Sequence, residues 1–170
     1  MKCLVTGGAG FIGSNLVDFL LKLGHQVIVL DALVTGHLSN LKQVKNKIKF
    51  VNIDIAKNKS TIEKYFNNVD WVFHLAGLAD NVPSIKNPND YFQTNVKGTL
   101  NVLEVAKKKK IKKLIYAASA SCYGVPNKYP TDENAKIDPK YPYGLTKFLG
   151  EQLIIHWAKI YQMPNVSLRF

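Results

Sequence analysis

Short apolar runs alternate along the chain with stretches in which apolar residues recur every three or four positions. Lys2 to Val5 is a short β-run that ends at a glycine-rich turn. Phe11 to Leu23 follows as a helix, with Ile12, Leu16, Phe19, Leu20 and Leu23 at helical spacing. Gly24 stops it as a C-terminal cap. Gln26 to Leu30 (QVIVL) is almost continuously apolar, as expected of a strand covered on both faces. Ile48 to Ile53 predicts a third strand, and Ser60 caps a short helix through Phe66. Trp71 to Leu75 predicts the fourth strand. Residues 77–87 read as a loop, and a long helix runs from about Pro88 to Lys108. Lys113 to Ala117 is the fifth strand. A turn-rich connection with Pro126, Pro130, Pro139 and Pro142 leads to a helix from about Tyr143 to Tyr161, and Asn165 to Leu168 begins a sixth strand. Strands alternating with helices imply parallel β-α-β units with right-handed crossovers, hence an α/β fold with a doubly wound parallel sheet. No internal repeat, low-complexity stretch or linker interrupts the pattern, so residues 1–170 read as one domain.

Composition narrows the class without changing the fold. At 46% hydrophobic and 21% charged residues the chain has an ordinary globular make-up. No apolar run approaches a membrane span, and Cys3-Leu4-Val5 is too brief for a signal peptide. Cys3 and Cys122 have no metal or redox spacing and read as reduced, buried thiols, which points to a cytoplasmic protein. The net charge of +11 comes almost entirely from scattered lysines, with Arg169 the single arginine. A nucleic-acid reader would more often gather arginines and aromatics on one surface. The densest cluster, Lys107 to Lys110 with Lys112 and Lys113, ends a helix, where cations oppose the negative pole of the macrodipole. We therefore expect neither nucleic-acid nor membrane binding, and no metal.

Between the first strand and the first helix lies Thr6-Gly7-Gly8-Ala9-Gly10-Phe11-Ile12-Gly13. A glycine triplet alone is weak evidence; at a strand-to-helix junction it predicts a dinucleotide-binding turn of the Rossmann type. Gly7 takes the tight turn, Gly10 admits a pyrophosphate, and Gly13 lets helix and strand approach. The free N–H groups at the helix start, from Phe11 and Ile12 onward, then meet the phosphates. Asp31 closes the second strand at about the twenty-residue offset expected for a carboxylate on the adenosine ribose. No arginine follows it to welcome a 2′-phosphate, so NAD is favoured over NADP. Asp54-Ile55, after the third strand, is a further adenine-edge contact.

Tyr143-Gly144-Leu145-Thr146-Lys147 places a phenol and an ammonium on one helical face. The cation stabilises a tyrosinate, which suits Tyr143 to act as a general base toward a sugar hydroxyl. With the glycine turn, Asp31 and Asp54-Ile55, several further segments complete a pattern: HLAG at 74–77, TNVKGTLNVLE at 94–104, ASASCYG at 118–124 and YPYGLTK at 141–147. Together they resemble the extended short-chain dehydrogenase/reductase family, most closely its NAD-dependent sugar-nucleotide epimerase branch. The resemblance implies a catalytic set of Ser119, Tyr143 and Lys147, with Ser121 the alternative serine. It implies cofactor contacts at Gly7, Gly10, Phe11, Ile12, Gly13, Asp31, Asp54, Ile55, Leu75, Ala76, Gly77, Asn95, Tyr143 and Lys147. Substrate contacts would come from Ser84, Ser119, Ser121 and Tyr143, while His74 reads as a structural strand-end histidine.

The implied reaction is 4-epimerisation of a nucleotide sugar, commonly UDP-linked, through a 4-keto sugar. A reductase or decarboxylase of the same family is an alternative. A 4,6-dehydratase is disfavoured, because Ser119-Ala120-Ser121 stands where dehydratases carry Thr-Asp-Glu, and Thr131-Asp132-Glu133 is too far downstream. The helices near 88–108 and 143–161 resemble those that form the family's dimer interface, so a homodimer is expected. In the family, a motif like Leu168-Arg169-Phe170 leads on into a substrate-binding region. The expectation is therefore a truncated chain without its substrate domain, and an idle NAD-binding or dimerisation module is the competing reading.

Overall fold

In the computed structural model, which describes residues 1–57 and 59–170, all strand pairings are parallel. The strands are β1 (Lys2–Thr6), β2 (Gln26–Asp31), β3 (Ile48–Asn52), β4 (Trp71–His74), β5 (Lys113–Ala118) and β6 (Asn165–Arg169). Their spatial order is β3-β2-β1-β4-β5-β6. The chain starts at the centre, moves outward to β3, and returns to lay β4 on the free side of β1. This reversal beside β1 opens a crevice at the carboxyl ends of the strands, the usual ligand position of a doubly wound sheet.

The inner strands are apolar on both faces for a visible reason. Cys3 and Val5 of β1 and Val27 and Val29 of β2 pack with Val17 and Leu20 of α1 (Phe11–Lys22). Leu4, Ile28 and Leu30 point to the other face. There they meet Ile62 of α2 (Lys59–Glu63), Leu103 of α5 (Gly98–Lys108) and Ile154 of α6 (Pro142–Tyr161). Gly24 ends α1 as expected. At φ +78° it donates its N–H to Leu21, and the following His25 N–H reaches back to Leu20, so the last carbonyls are satisfied. Both cysteines are free and buried. Among the described residues no helix is long and apolar enough to cross a membrane.

Four local expectations change. Ser60 lies inside α2, not before it, so it is not that helix's cap. Residues 38–47, given no element from the sequence, form 3₁₀ turns (Leu38–Lys47). The expected loop at 77–87 contains α3 (Asn81–Lys86). Pro83 fits its first turn, where a missing N–H deprives no intrahelical bond. The long helix from Pro88 is not uniform: α4 (Pro88–Phe92) passes through a wider π-helical turn, Gln93–Lys97, into α5. Such a turn is frequent at functional sites, and this one carries Asn95.

Candidate active site

The glycine turn is shaped by contacts that tolerate no side chain. Gly7 has φ +72°, donates to the Leu30 carbonyl (2.8 Å), and a Cβ on it would lie 2.6 Å from Ala76 N. A Cβ on Gly13 would lie 2.2 Å from the Gly7 carbonyl oxygen, so α1 presses directly on the turn. Gly10 differs: a Cβ there would meet only the Gly7 oxygen, at an ordinary 3.4 Å. Nothing within the protein demands glycine at position 10, yet Gly10 lines the crevice. It also begins α1 with no side-chain cap and no acid in the first turn, which leaves the first N–H groups available to an anion.

The crevice holds about 360 Å³ and is lined by Gly7, Gly10, Asp31, Asp54, Ile55, Leu75, Ala76 and Gly77 among others. These expected residues, far apart in sequence, thus share one wall. Asp31 is 8% exposed; its carboxylate accepts from Ala9 N–H (2.9 Å) and Leu33 N–H (2.8 Å). Each oxygen keeps a second lone pair for a hydroxyl donor. Asp54 accepts from Ala56 N–H (2.8 Å), an Asx turn that sets Ile55 at the crevice. Phe11 and Ile12, in the first turn of α1, are 83% and 49% exposed and are not among the residues that line the crevice.

Two more expected residues sit elsewhere. Asn95 is 1% exposed and lies behind the crevice; its amide accepts from Leu78 N–H and donates to the Leu78 carbonyl and the Thr146 hydroxyl. It braces the crevice wall against α6 and offers the cofactor no donor of its own. Ser84 is fully buried, and its hydroxyl donates to the Asn81 carbonyl within α3 (2.6 Å). It therefore presents no atom to a substrate in this structure.

At the end of β5, Ser119 caps the 3₁₀ turn Ala120–Tyr123 by accepting from Ser121 N–H (3.2 Å). The Tyr143 hydroxyl, in the first turn of α6, donates to Ser119 Oγ at 3.3 Å. Ser121 supplies backbone to the same junction: a Cβ on Gly144 would lie 2.6 Å from its carbonyl oxygen. Lys147, one turn after Tyr143, is 6% exposed, with Nζ 4.4 Å over the Tyr116 ring. Burial pushes its ammonium down to about 8, and the Glu151 carboxylate opposes that shift. A Cβ on Gly77 would lie 3.6 Å from Nζ, so the Lys147 ammonium reaches the crevice wall at Gly77.

His74 is wholly buried between Thr6 Oγ1 (2.7 Å to Nδ1) and Thr99 Oγ1 (2.9 Å to Nε2). Burial, with Lys147 nearby, pushes it down to about 3, which suits a neutral brace and not a base.

Some site residues gave no clear sequence signal. Tyr91 is 4% exposed, meets the Tyr143 ring edge-on at 6.3 Å, and donates its hydroxyl to the Ala79 carbonyl. Thr146 Oγ1 donates to the Tyr143 carbonyl (3.0 Å). Thr35 and Gly36 line the crevice, and the chain there folds onto Ala9, whose carbonyl accepts from His37 N–H and Asn40 Nδ2. The Thr-Gly pair in that connection was the available hint.

Residues 3–170 match the NAD dependent epimerase/dehydratase family. The UDP-glucose 4-epimerase of Lactobacillus helveticus is 40% identical over 172 aligned residues, covering 100% of this chain and 51% of its own. The structure of UDP-glucose 4-epimerase from Thermotoga maritima with UDP-glucose superposes with a TM-score of 0.93 at 35% identity, over 99% of this chain and 55% of that one. A dTDP-glucose 4,6-dehydratase from Streptomyces venezuelae, solved with NAD, gives 0.94 at 29% identity, over 99% and 55%. The chain thus spans about half the length of the relatives it matches. With the glycine turn, Asp31 and Asp54 on one crevice, the Ser119–Tyr143 contact at the end of β5, and this match along nearly its whole length, the chain belongs to the NAD-dependent epimerase/dehydratase family.

Proposed function

We propose that this chain is the cofactor-binding and catalytic part of a nucleotide-sugar 4-epimerase. The observation that carries the reading is the Tyr143–Ser119 contact of 3.3 Å beside the glycine-lined crevice, with Lys147 one helical turn away. The crevice suits NAD: an uncapped helix start faces the pyrophosphate position, Asp31 keeps acceptors for ribose hydroxyls, and Gly10 leaves room for the ligand. When bound there, NAD would supply reversible hydride chemistry at the sugar C4. Ser119 Oγ holds the reacting sugar oxygen, and Tyr143 removes its proton and later restores it. Lys147, one turn along α6, brings a buried ammonium to the crevice wall at Gly77. Ser119-Ala120-Ser121 puts no carboxylate at the end of β5, which favours epimerisation over the water elimination of a dehydratase.

Substitution Tyr143→Phe should lower interconversion of UDP-glucose and UDP-galactose by about 10²–10⁴-fold while NAD affinity by calorimetry stays near wild type. Loss of NAD binding in that variant would contradict the assignment. NAD binding without turnover on a panel of UDP-sugars would instead mark the chain as an NAD-binding or dimerisation module. Pairing of two copies through α5 and α6, in a cytoplasmic homodimer, is part of the proposal; light scattering on the purified chain tests it.

A further inference from the structure

The single arginine of the chain lies where three parts of the proposed site meet. Arg169, at the end of β6, donates from Nε to both carboxylate oxygens of Glu151 (2.9 and 3.1 Å) and from Nη1 to the Tyr123 hydroxyl (2.5 Å). Glu151, on α6, is 4% exposed and also accepts from the Ser167 hydroxyl (2.9 Å). It stands one helical turn beyond Lys147, which stands one turn beyond Tyr143. Tyr123 closes the 3₁₀ turn that Ser119 caps, and Ala120 N–H in that turn donates to the Phe170 carbonyl (2.7 Å). The end of β6 thus grips both the serine turn and the helix that carries Tyr143 and Lys147.

The residue types fit this geometry. A guanidinium makes a planar, multi-point grip that a lysine cannot reproduce. A carboxylate buried this deeply needs cationic compensation, and Glu151 has it in Arg169. Lys147 has Glu151 one turn along α6, lies over the Tyr116 ring from β5, and its charge reaches buried His74 of β4. Glu151 is the carboxylate of that set. Burial works against the Lys147 ammonium, and Glu151 works for it.

We propose that Glu151 is a positioning residue for the Ser119/Tyr143/Lys147 set: clamped by Arg169, it holds α6 to the serine turn and presents a buried carboxylate one helical turn from Lys147. The inference rests on the catalytic roles proposed above. Its test does not need turnover. Lysines of the full chain are acylated in competition with acetic anhydride, with and without NAD, and Lys147 is followed by peptide mass spectrometry across pH. In Glu151→Gln the Lys147 midpoint should fall by about one unit, giving about tenfold more reactive amine below the midpoint. Lys107, over the Tyr161 ring, should not change. The double variant E151Q/R169Q removes both charges and leaves no orphaned buried ion; because the Arg169 cation is lost with the carboxylate, its fall should be in the same direction but smaller than in Glu151→Gln. An unmoved Lys147 midpoint in the folded variants overturns the proposal. Failure of the wild-type chain to bind NAD in calorimetry would instead overturn the cofactor reading, leaving acylation to judge Glu151.

Discussion

His74 shows how completely one residue's chemistry is set by neighbours distant in sequence. The Thr99 hydroxyl donates to the Asn95 carbonyl (2.7 Å), so its oxygen accepts from His74 Nε2–H. His74 Nδ1 is then the acceptor for the Thr6 hydroxyl, whose oxygen in turn accepts from Ala76 N–H (3.2 Å). The tautomer follows from the network, and a second ring proton would break it. Folding lowers the pKa of His74 from 6.5 to about 3, so between these values the unfolded chain binds the extra proton. Stability is therefore full above the unfolded value and is lost as pH falls toward the folded one. We expect acidification to pH ~4.5 to cost about 2–3 kcal/mol through this residue. Thermal unfolding of His74→Asn, compared with wild type across that range, should show a shallower pH dependence. Equal slopes would mean that His74 does not carry the effect.

At the scale of elements, the junction of β1 and α1 separates glycines required by the protein from one available to a ligand. Gly13→Ala would drive a methyl to 2.2 Å from backbone, and should destabilise the fold by about 1–3 kcal/mol in denaturant unfolding. Gly10→Ala, with its 3.4 Å contact, should unfold like wild type yet bind NAD more weakly. Intact NAD binding by Gly10→Ala would remove Gly10 from the cofactor site. Both glycines were legible as a motif, but their different reasons were not. The elements themselves were largely legible because helix and strand periodicity is local. The misreadings at Ser60, at 77–87 and at the π-helical turn share a cause. Each depends on where a backbone N–H or C=O finds its partner, and periodicity does not encode that.

For the whole molecule, register decides which surfaces are covered. Trp71, Phe73, Ile115, Ala117, Val166 and Leu168 fall on the same face as Cys3 and Val5. α1 and the 3₁₀ turns of Leu38–Lys47 cover the β1–β3 half of that face. At β6, Val166 is 37% and Leu168 43% exposed, and Phe170 beyond it 61%. Ser167 and Arg169 meet Glu151 of α6, so Val166 and Leu168 point to the opposite face. The double variant Val166→Lys/Leu168→Lys should therefore leave the proposed pairing through α5 and α6 unchanged in sedimentation velocity; loss of pairing would place the interface on this face instead. The alternation of strand and helix, the glycine turn and the one-turn spacing of Tyr143 and Lys147 were written in the residue order, because each follows from local geometry. That Ser119 meets Tyr143, that His74 bridges Thr6 and Thr99, and that Arg169 clamps Glu151 emerged only on folding. Those contacts join separate segments, and strand order and crossovers, not local spacing, bring such segments together.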